Sequence, residues 1–284
     1  MTPADLIAAE PELWPFANLD LYRSLARPLP KPLCPEPVKD KEGIGNYLCI
    51  DGILVFHDSR DWGLDIQIIM DAFGSYQGCL GTPKTTFLES DEHSEASYKA
   101  KIPYLIFSNP DLVWQSSYSL ARFGQGALIF ALKALWTREY GNLDRFQCDY
   151  GGKPNRRQFS FAYEKLNDAY QSSLDIPRIT KGKRKQLGRV YMIGDNPQSD
   201  IVGANRYNLS SSVPFFPILT RTGVYKSNPN VPLLSSRRPV NTVDDVSAAV
   251  NWALEDSQDS RAVDQGLWDH MRQRLQIRLQ NKSH

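Results

Sequence analysis

The stretch RVYMIGDNPQSDIVGAN, positions 189–205, restricts the fold more than any other part of the chain. An apolar run ending at Ile193 meets Gly194 and Asp195, and a polar turn with a second carboxylate, Asp200, leads into a helical pattern. A strand that feeds a helix through a short turn is half of a βαβ unit. The pattern recurs along the sequence. YLCIDGILVF (47–56) reads as a strand, and DWGLDIQIIMDAF places Leu64, Ile68 and Phe73 on one helical face. YLIFSNPD is a second strand, GQGALIFALKALW a helix, GGKPNRRQFSFAYEKL a glycine turn entering a helix, and PFFPILTRTGV a further strand. TVDDVSAAVNWAL reads as a helix capped by Thr242. Strands alternating with helices predict an α/β fold with a largely parallel sheet.

The remaining segments are plainer. At the amino end, Thr2 caps a helix with Pro3 at its first position and Asp5 three residues after the cap. The proline-rich ARPLPKPLCPEPVKDKEG is an extended connector, TPKTTFLESDEHSEASYKAK an exposed loop, and KGKRKQLGR a solvated basic loop. Leu267, Met271, Leu275 and Leu279 recur every four residues, giving an amphipathic tail helix that packs on the domain or on a second copy of the chain. The formal charge of +1 gives no reason to expect nucleic acid as a partner, and no apolar run is long enough for a transmembrane segment. Four dispersed cysteines and four histidines fit reduced, mostly buried thiols better than a disulfide framework or a zinc site.

In parallel α/β sheets ligands sit beyond the carboxyl ends of strands. Three clusters fall at such places. Asp195 and Asp200 on one turn suit a magnesium ion, which takes a few carboxylates and several waters; the alternative is a helix cap and an exposed acid. Gly151-Gly152-Lys153-Pro154 lets the backbone approach a ligand and offers an ammonium to a phosphate, or is a surface turn. Ser108-Asn109-Pro110-Asp111 shapes a pocket or is an ordinary Asx turn.

Taken in order, NPD, GQGA, GGKP, GDNPQSDIVGAN and ILTRTGVY resemble the haloacid dehalogenase-like (HAD) hydrolase superfamily, in the subfamily with a large α/β cap (IIA). VFHDSRDWGLDIQII, ARPLPKP and GVY resemble its cat eye syndrome critical region protein 5-like branch. The resemblance implies part of an α/β cap over residues 1–110, the C-terminal half of a Rossmann-like core over 111–257, and a helical tail over 258–284. It implies Mg²⁺-dependent hydrolysis of a small phosphorylated substrate through an aspartyl-phosphate. Lys153 would balance charge at the phosphoryl group, Asp195 would bind Mg²⁺, Asp200 would support that shell, and Asn109, Asp111 and Asn196 would contact substrate. Relatives of this branch imply a mitochondrial location, with the cytoplasm as the alternative.

The same resemblance calls for a nucleophilic aspartate in a DxDG motif on an early strand. In CIDGILVF that position holds Cys49, and LIFSN continues as the cap-end NPD motif. The expectation is therefore a chain that starts within the cap, lacks the nucleophile, and is inactive alone. It would aggregate or rearrange unless a partner supplies the strand beside RVYMI. Two rivals belong to other classes: a non-catalytic binding or scaffold protein that keeps a phosphate pocket, and a nucleotide or phosphate sensor.

Overall fold

The computed structural model describes residues 1–34, 45–82, 102–141, 146–173, 187–228 and 230–259. The tail helix, most of the polar stretch 82–101, the second half of the proline-rich connector and residues 181–186 of the basic run lie outside the described residues. The chain divides into two compact units, Met1–Leu112 with Phe123–Tyr150, and Val113–Arg122 with the chain from Gly151 onward. The elements of the first unit are α1 (Pro3–Ala9), α2 (Leu19–Leu25), β1 (Gly52–Val55), α3 (Trp62–Gly74), β2 (Tyr104–Phe107), α4 (Gln125–Tyr140) and β5 (Cys148–Tyr150). Short strands β3 (Val113–Trp114) and β4 (Arg122–Phe123) pair with each other. The second unit continues with α5 (Arg156–Ser173), β6 (Val190–Gly194), α6 (Val202–Asn208), β7 (Phe215–Thr220), β8 (Asn241–Val243) and α7 (Val246–Asp259). The fold is mixed α/β with two parallel sheets, a Rossmann-like layer and additional helical elements.

In the first unit the sheet order is β1-β2-β5, with Ile53 beside Leu105 and Val55 beside Phe107. Those side chains share one face, where Leu105 and Phe107 join Ile69 and Phe73 of α3 and Leu128, Leu132 and Trp136 of α4. Trp136 packs edge-on against Phe73 at 5.7 Å and lies 5.7 Å from Phe146. The opposite side of α3 buries Leu64, Ile68 and Ala72 against Leu6 and Ile7 of α1. Helix α1 begins as its sequence implies, with the Asp5 carboxylate accepting the Thr2 N–H at 2.6 Å. Three expectations need correction. Leu64 and Ile68 share a face of α3, but Phe73 packs on the opposite, sheet-facing side with Ile69, because α3 is buried on both sides. The strand read over 47–56 is shorter, because Cys49 leaves the parallel sheet to form an antiparallel bridge with Cys79. Thr242 does not cap a helix but pairs with Leu219 inside β8, and the Asp245 carboxylate caps α7 by accepting the Ala248 N–H at 2.8 Å.

The second unit has three layers. Its parallel sheet, β6-β7-β8, packs Val190 and Phe215 against Phe159 of α5 and Ala204 and Tyr207 of α6. Ile218 and Val243 pack on the other face against Ala249 and Ala253 of α7. Strand β7 is buried at every residue, as a central parallel strand must be. At the base of β6, Asp256 of α7 accepts hydrogen bonds from Arg189 and from the Tyr191 hydroxyl, the latter at 2.7 Å. Among the described residues, no helix is long and apolar enough to cross a membrane.

Trp136 is wholly buried between two helices and a sheet, so Trp136→Ala should cost about 3–5 kcal/mol in chemical denaturation. A loss below about 1 kcal/mol would show that this aromatic cluster does not organise the first unit.

Candidate phosphate and metal site

The acidic loop follows β6 because Gly194 ends the strand and Asn196 begins a single π-helical turn, Pro197–Ile201, that leads into α6. The Asn196 side chain accepts the Gln198 N–H at 2.9 Å, which fixes the start of that turn. Asp200 points back toward the strand end: its Oδ2 accepts the Asn196 N–H at 3.0 Å. The carboxylate then fills the space where a side chain at Gly194 would lie, so only glycine fits at that position.

Lys153 sits in the turn before α5, and its Nζ meets Asp200 Oδ1 at 2.6 Å. The Lys153–Pro154 peptide is cis. Asp200 is 1% exposed and the lysine side chain 39%. A carboxylate removed this fully from water needs a cation and hydrogen-bond donors, and it has both. The lysine keeps a solvated side from which it can reach a ligand. Asp195 is held differently. Its Oδ2 accepts the Val224 N–H at 2.6 Å, in the loop after β7. Gly223 has φ +96° there, and any side chain on it would collide with the Asp195 carboxylate.

Lys153, Asp195, Asn196 and Asp200 therefore converge at the carboxyl end of β6. Asn109 and Asp111 belong to the other unit, where the Asn109 side chain accepts the Asp111 N–H at 3.0 Å in an Asx turn. Sequence reasoning missed Val224, whose contribution is a backbone N–H without a side-chain signature; the neighbouring glycine in TGVY was the available sign. It also missed Gln125, 1% exposed, which accepts the Ser108 N–H at 3.1 Å and donates to the Ser108 hydroxyl at 2.7 Å. The decoy strand is explained by position: Cys49 and Asp51 precede β1 and so lie at its amino end, away from where α/β sheets bind ligands.

Among the described residues, no group of three or more His, Cys, Asp or Glu side chains could hold a metal by itself. Magnesium needs less, since one or two carboxylates suffice when water and phosphate oxygens complete its shell. Each Asp200 oxygen already serves a partner, Lys153 or Asn196, whereas among the described residues Asp195 offers Oδ2 to Val224. The donor set fits a magnesium ion carried by Asp195, with Asp200 acting through the lysine and the turn. Ser199 Oγ, buried in the same turn, has no hydrogen-bond partner among the described residues.

Residues 150–249 match a family model described as HAD-hydrolase-like. The chain is 37% identical over 215 residues to a mitochondrial hydrolase of Saccharomyces cerevisiae, a match covering 72% of this chain and 55% of that protein. It is 31% identical over 219 residues to a cardiolipin synthase (CMP-forming)/mitochondrial hydrolase fusion protein of Schizosaccharomyces pombe, covering 77% of this chain and 31% of the fusion. The matches thus span about half of the first relative and about a third of the second. A solved structure of a possible sugar phosphatase of the HAD superfamily from Cytophaga hutchinsonii aligns with a TM-score of 0.34 and 15% identity, over 64% of this chain and 45% of that one.

A double-mutant cycle on Lys153→Met and Asp200→Asn should give a coupling of about 0.5–3 kcal/mol in urea unfolding. Additive losses would mean that the pair does not hold the loop. Gly223→Ala should cost about 1–3 kcal/mol; a neutral result would show that the loop relaxes without Asp195.

Proposed function

Since the chain belongs to the HAD-like hydrolase superfamily, we propose that it carries the lysine and acidic-loop half of a Mg²⁺-dependent phosphate-ester hydrolase site. The observation that carries this proposal is the Lys153–Asp200 ion pair at the carboxyl end of β6, beside the anchored Asp195. Lys153 would lay its ammonium against a phosphoryl oxygen while Asp200 keeps it in place. The lysine's N–H hydrogen bond and positive charge would stabilise the phosphoryl group as negative charge builds on its oxygens. Asn196, at the start of the turn, would contact the substrate beside Lys153. A magnesium ion at Asp195 would add charge neutralisation at the same phosphoryl group.

Hydrolysis through an aspartyl-phosphate also requires a carboxylate nucleophile opposite the lysine. Neither Cys49 nor Asp51 stands at a strand's carboxyl end, and β6 is an edge of its sheet among the described residues. The 284-residue chain alone is therefore proposed to bind phosphate without turning over esters; a dedicated binding or scaffold role is the alternative. The finer placement, in the large-cap subfamily and the cat eye syndrome critical region protein 5-like branch, rests on the motif series, and the mitochondrial location on the naming of the relatives. The substrate would be a small phosphorylated molecule.

With p-nitrophenyl phosphate and Mg²⁺ the chain should show no turnover above buffer. Inorganic phosphate should bind, and Lys153→Ala should weaken it about tenfold, the value of one charge-assisted contact of roughly 1.4 kcal/mol. Turnover abolished by Asp195→Asn would overturn the half-site proposal. Phosphate affinity indifferent to Lys153→Ala would overturn the site itself.

A further inference from the structure

Three of the four cysteines meet in the first unit, although they are far apart in sequence. Cys49 and Cys79 are partners in an isolated antiparallel bridge, and the adjoining Ile50 N–H donates to the Gly78 carbonyl at 2.9 Å. A donor one residue beyond Cys49 bonded to the residue before Cys79 marks the two cysteines as a non-hydrogen-bonded pair. In such pairs the Cα atoms stand about 4.5 Å apart and the side chains lie on the same face. That spacing falls inside the disulfide range of roughly 4.4–6.8 Å. The Cys79 thiol is also in hydrogen-bonding contact with Cys49 and Cys34. Cys79 is wholly buried, Cys34 buried and Cys49 half-buried, so Cys49 is the thiol that solution reagents reach first.

We propose that Cys49 and Cys79 form a reversible modification site, closing a cross-strand disulfide by exchange with a small-molecule disulfide such as glutathione disulfide. The Cys49 thiolate attacks one sulfur of glutathione disulfide, forming a mixed disulfide and releasing one glutathione thiolate. The Cys79 sulfur then attacks the Cys49 sulfur, gives its proton to solvent, and releases the second glutathione. Two protein thiols are oxidised by two electrons, and one glutathione disulfide is reduced to two glutathiones. Cys34 touches the same sulfur but has no such backbone pairing with Cys79. Its carbonyl instead approaches Gly81, which has φ +88°.

The bond would tie the segment entering β1 to the turn that follows α3, and so clamp both ends of that strand–helix unit. Its kinetics follow from burial. Burial, with the neighbouring Cys49 and Cys34 thiols, pushes the Cys79 thiol up to about 12. The thiolate is the attacking species, so burial of Cys79 slows the closing step near neutral pH, and the step speeds up as pH rises. By the same logic the reduced form gains little from ionisation, and the disulfide, once made, resists reduction.

The full chain would be equilibrated in glutathione buffers of graded oxidation, quenched by acid alkylation, and mapped by peptide mass spectrometry. The expected result is one Cys49–Cys79 linked peptide, loss of two titratable thiols, and full reversal by dithiothreitol. The oxidised form should melt higher by roughly 5–10 °C. Cys148→Ser should leave all of this unchanged, and the half-buried Cys49→Ser should abolish it while retaining the wild-type circular dichroism. Four thiols persisting in the most oxidising buffer would overturn the proposal. So would a Cys34–Cys79 link, or a closing rate indifferent to pH between 7 and 9. Mapping the unmodified chain keeps the test decisive even if the Cys49 variant fails to fold.

Discussion

The buried Asp200 carboxylate is the constraint around which the second unit's ligand end is arranged. A charge this far from water is tolerated only with compensation close at hand. Lys153 supplies the cation and Asn196 a backbone N–H, from opposite sides of the loop. These two bonds tie the turn before α5 to the end of β6, segments far apart in sequence. Gly194 follows as a necessity, since Asp200 occupies the volume of any side chain there. Lys153 follows as well, because a shorter or uncharged residue would strand the carboxylate. The lysine is thus fixed by a buried carboxylate while part of its side chain remains in solvent.

Much of this fold was legible in the sequence because its elements obey local rules. The strand that runs into Asp195 is apolar and is followed by Asn196 and Pro197, residues suited to starting a helical turn. Helix α1 announces itself through Thr2, Pro3 and Asp5, and α3 through Leu64 and Ile68, although Phe73 faces the sheet on the opposite side. Misreadings came where tertiary pairing overrides local preference. Thr242 is as good a cap as Asp245 by chemistry, but its backbone is taken by Leu219 of β7. Cys49 continues an apolar run without a break, yet its backbone pairs with Cys79 rather than with the parallel sheet. Neither partner is local, and no local pattern reports it.

The candidate site divides in the same way. Asp195, Asp200 and Lys153 were visible as residue types a phosphate or a magnesium ion would use. That Lys153 reaches Asp200 was not, because a chain-distant ion pair depends on how two loops face each other. Val224 could not be found at all by side-chain chemistry, as what it offers Asp195 is an amide hydrogen. Gly223 was the legible trace of that contact, since a residue at φ +96° beside a carboxylate has to be glycine.

The two sheets show what parallel pairing still demands. Parallel strands are ordinarily covered on both faces, because their connecting helices lie there. In the second unit this is met: α5 and α6 cover one face and α7 the other. In the first, α3 and α4 cover one face, while Leu54, Tyr104 and Ile106 remain exposed on the other among the described residues. Strand β6 pairs with β7 on one side and, among the described residues, is an edge on the other. An apolar edge strand is costly to leave unpaired. A strand added parallel to β6 would put its own carboxyl end beside Asp195, where the proposed reaction would need a phosphoryl acceptor. On the proposed half-site reading, one such pairing would both satisfy the sheet and bring a carboxylate opposite Lys153.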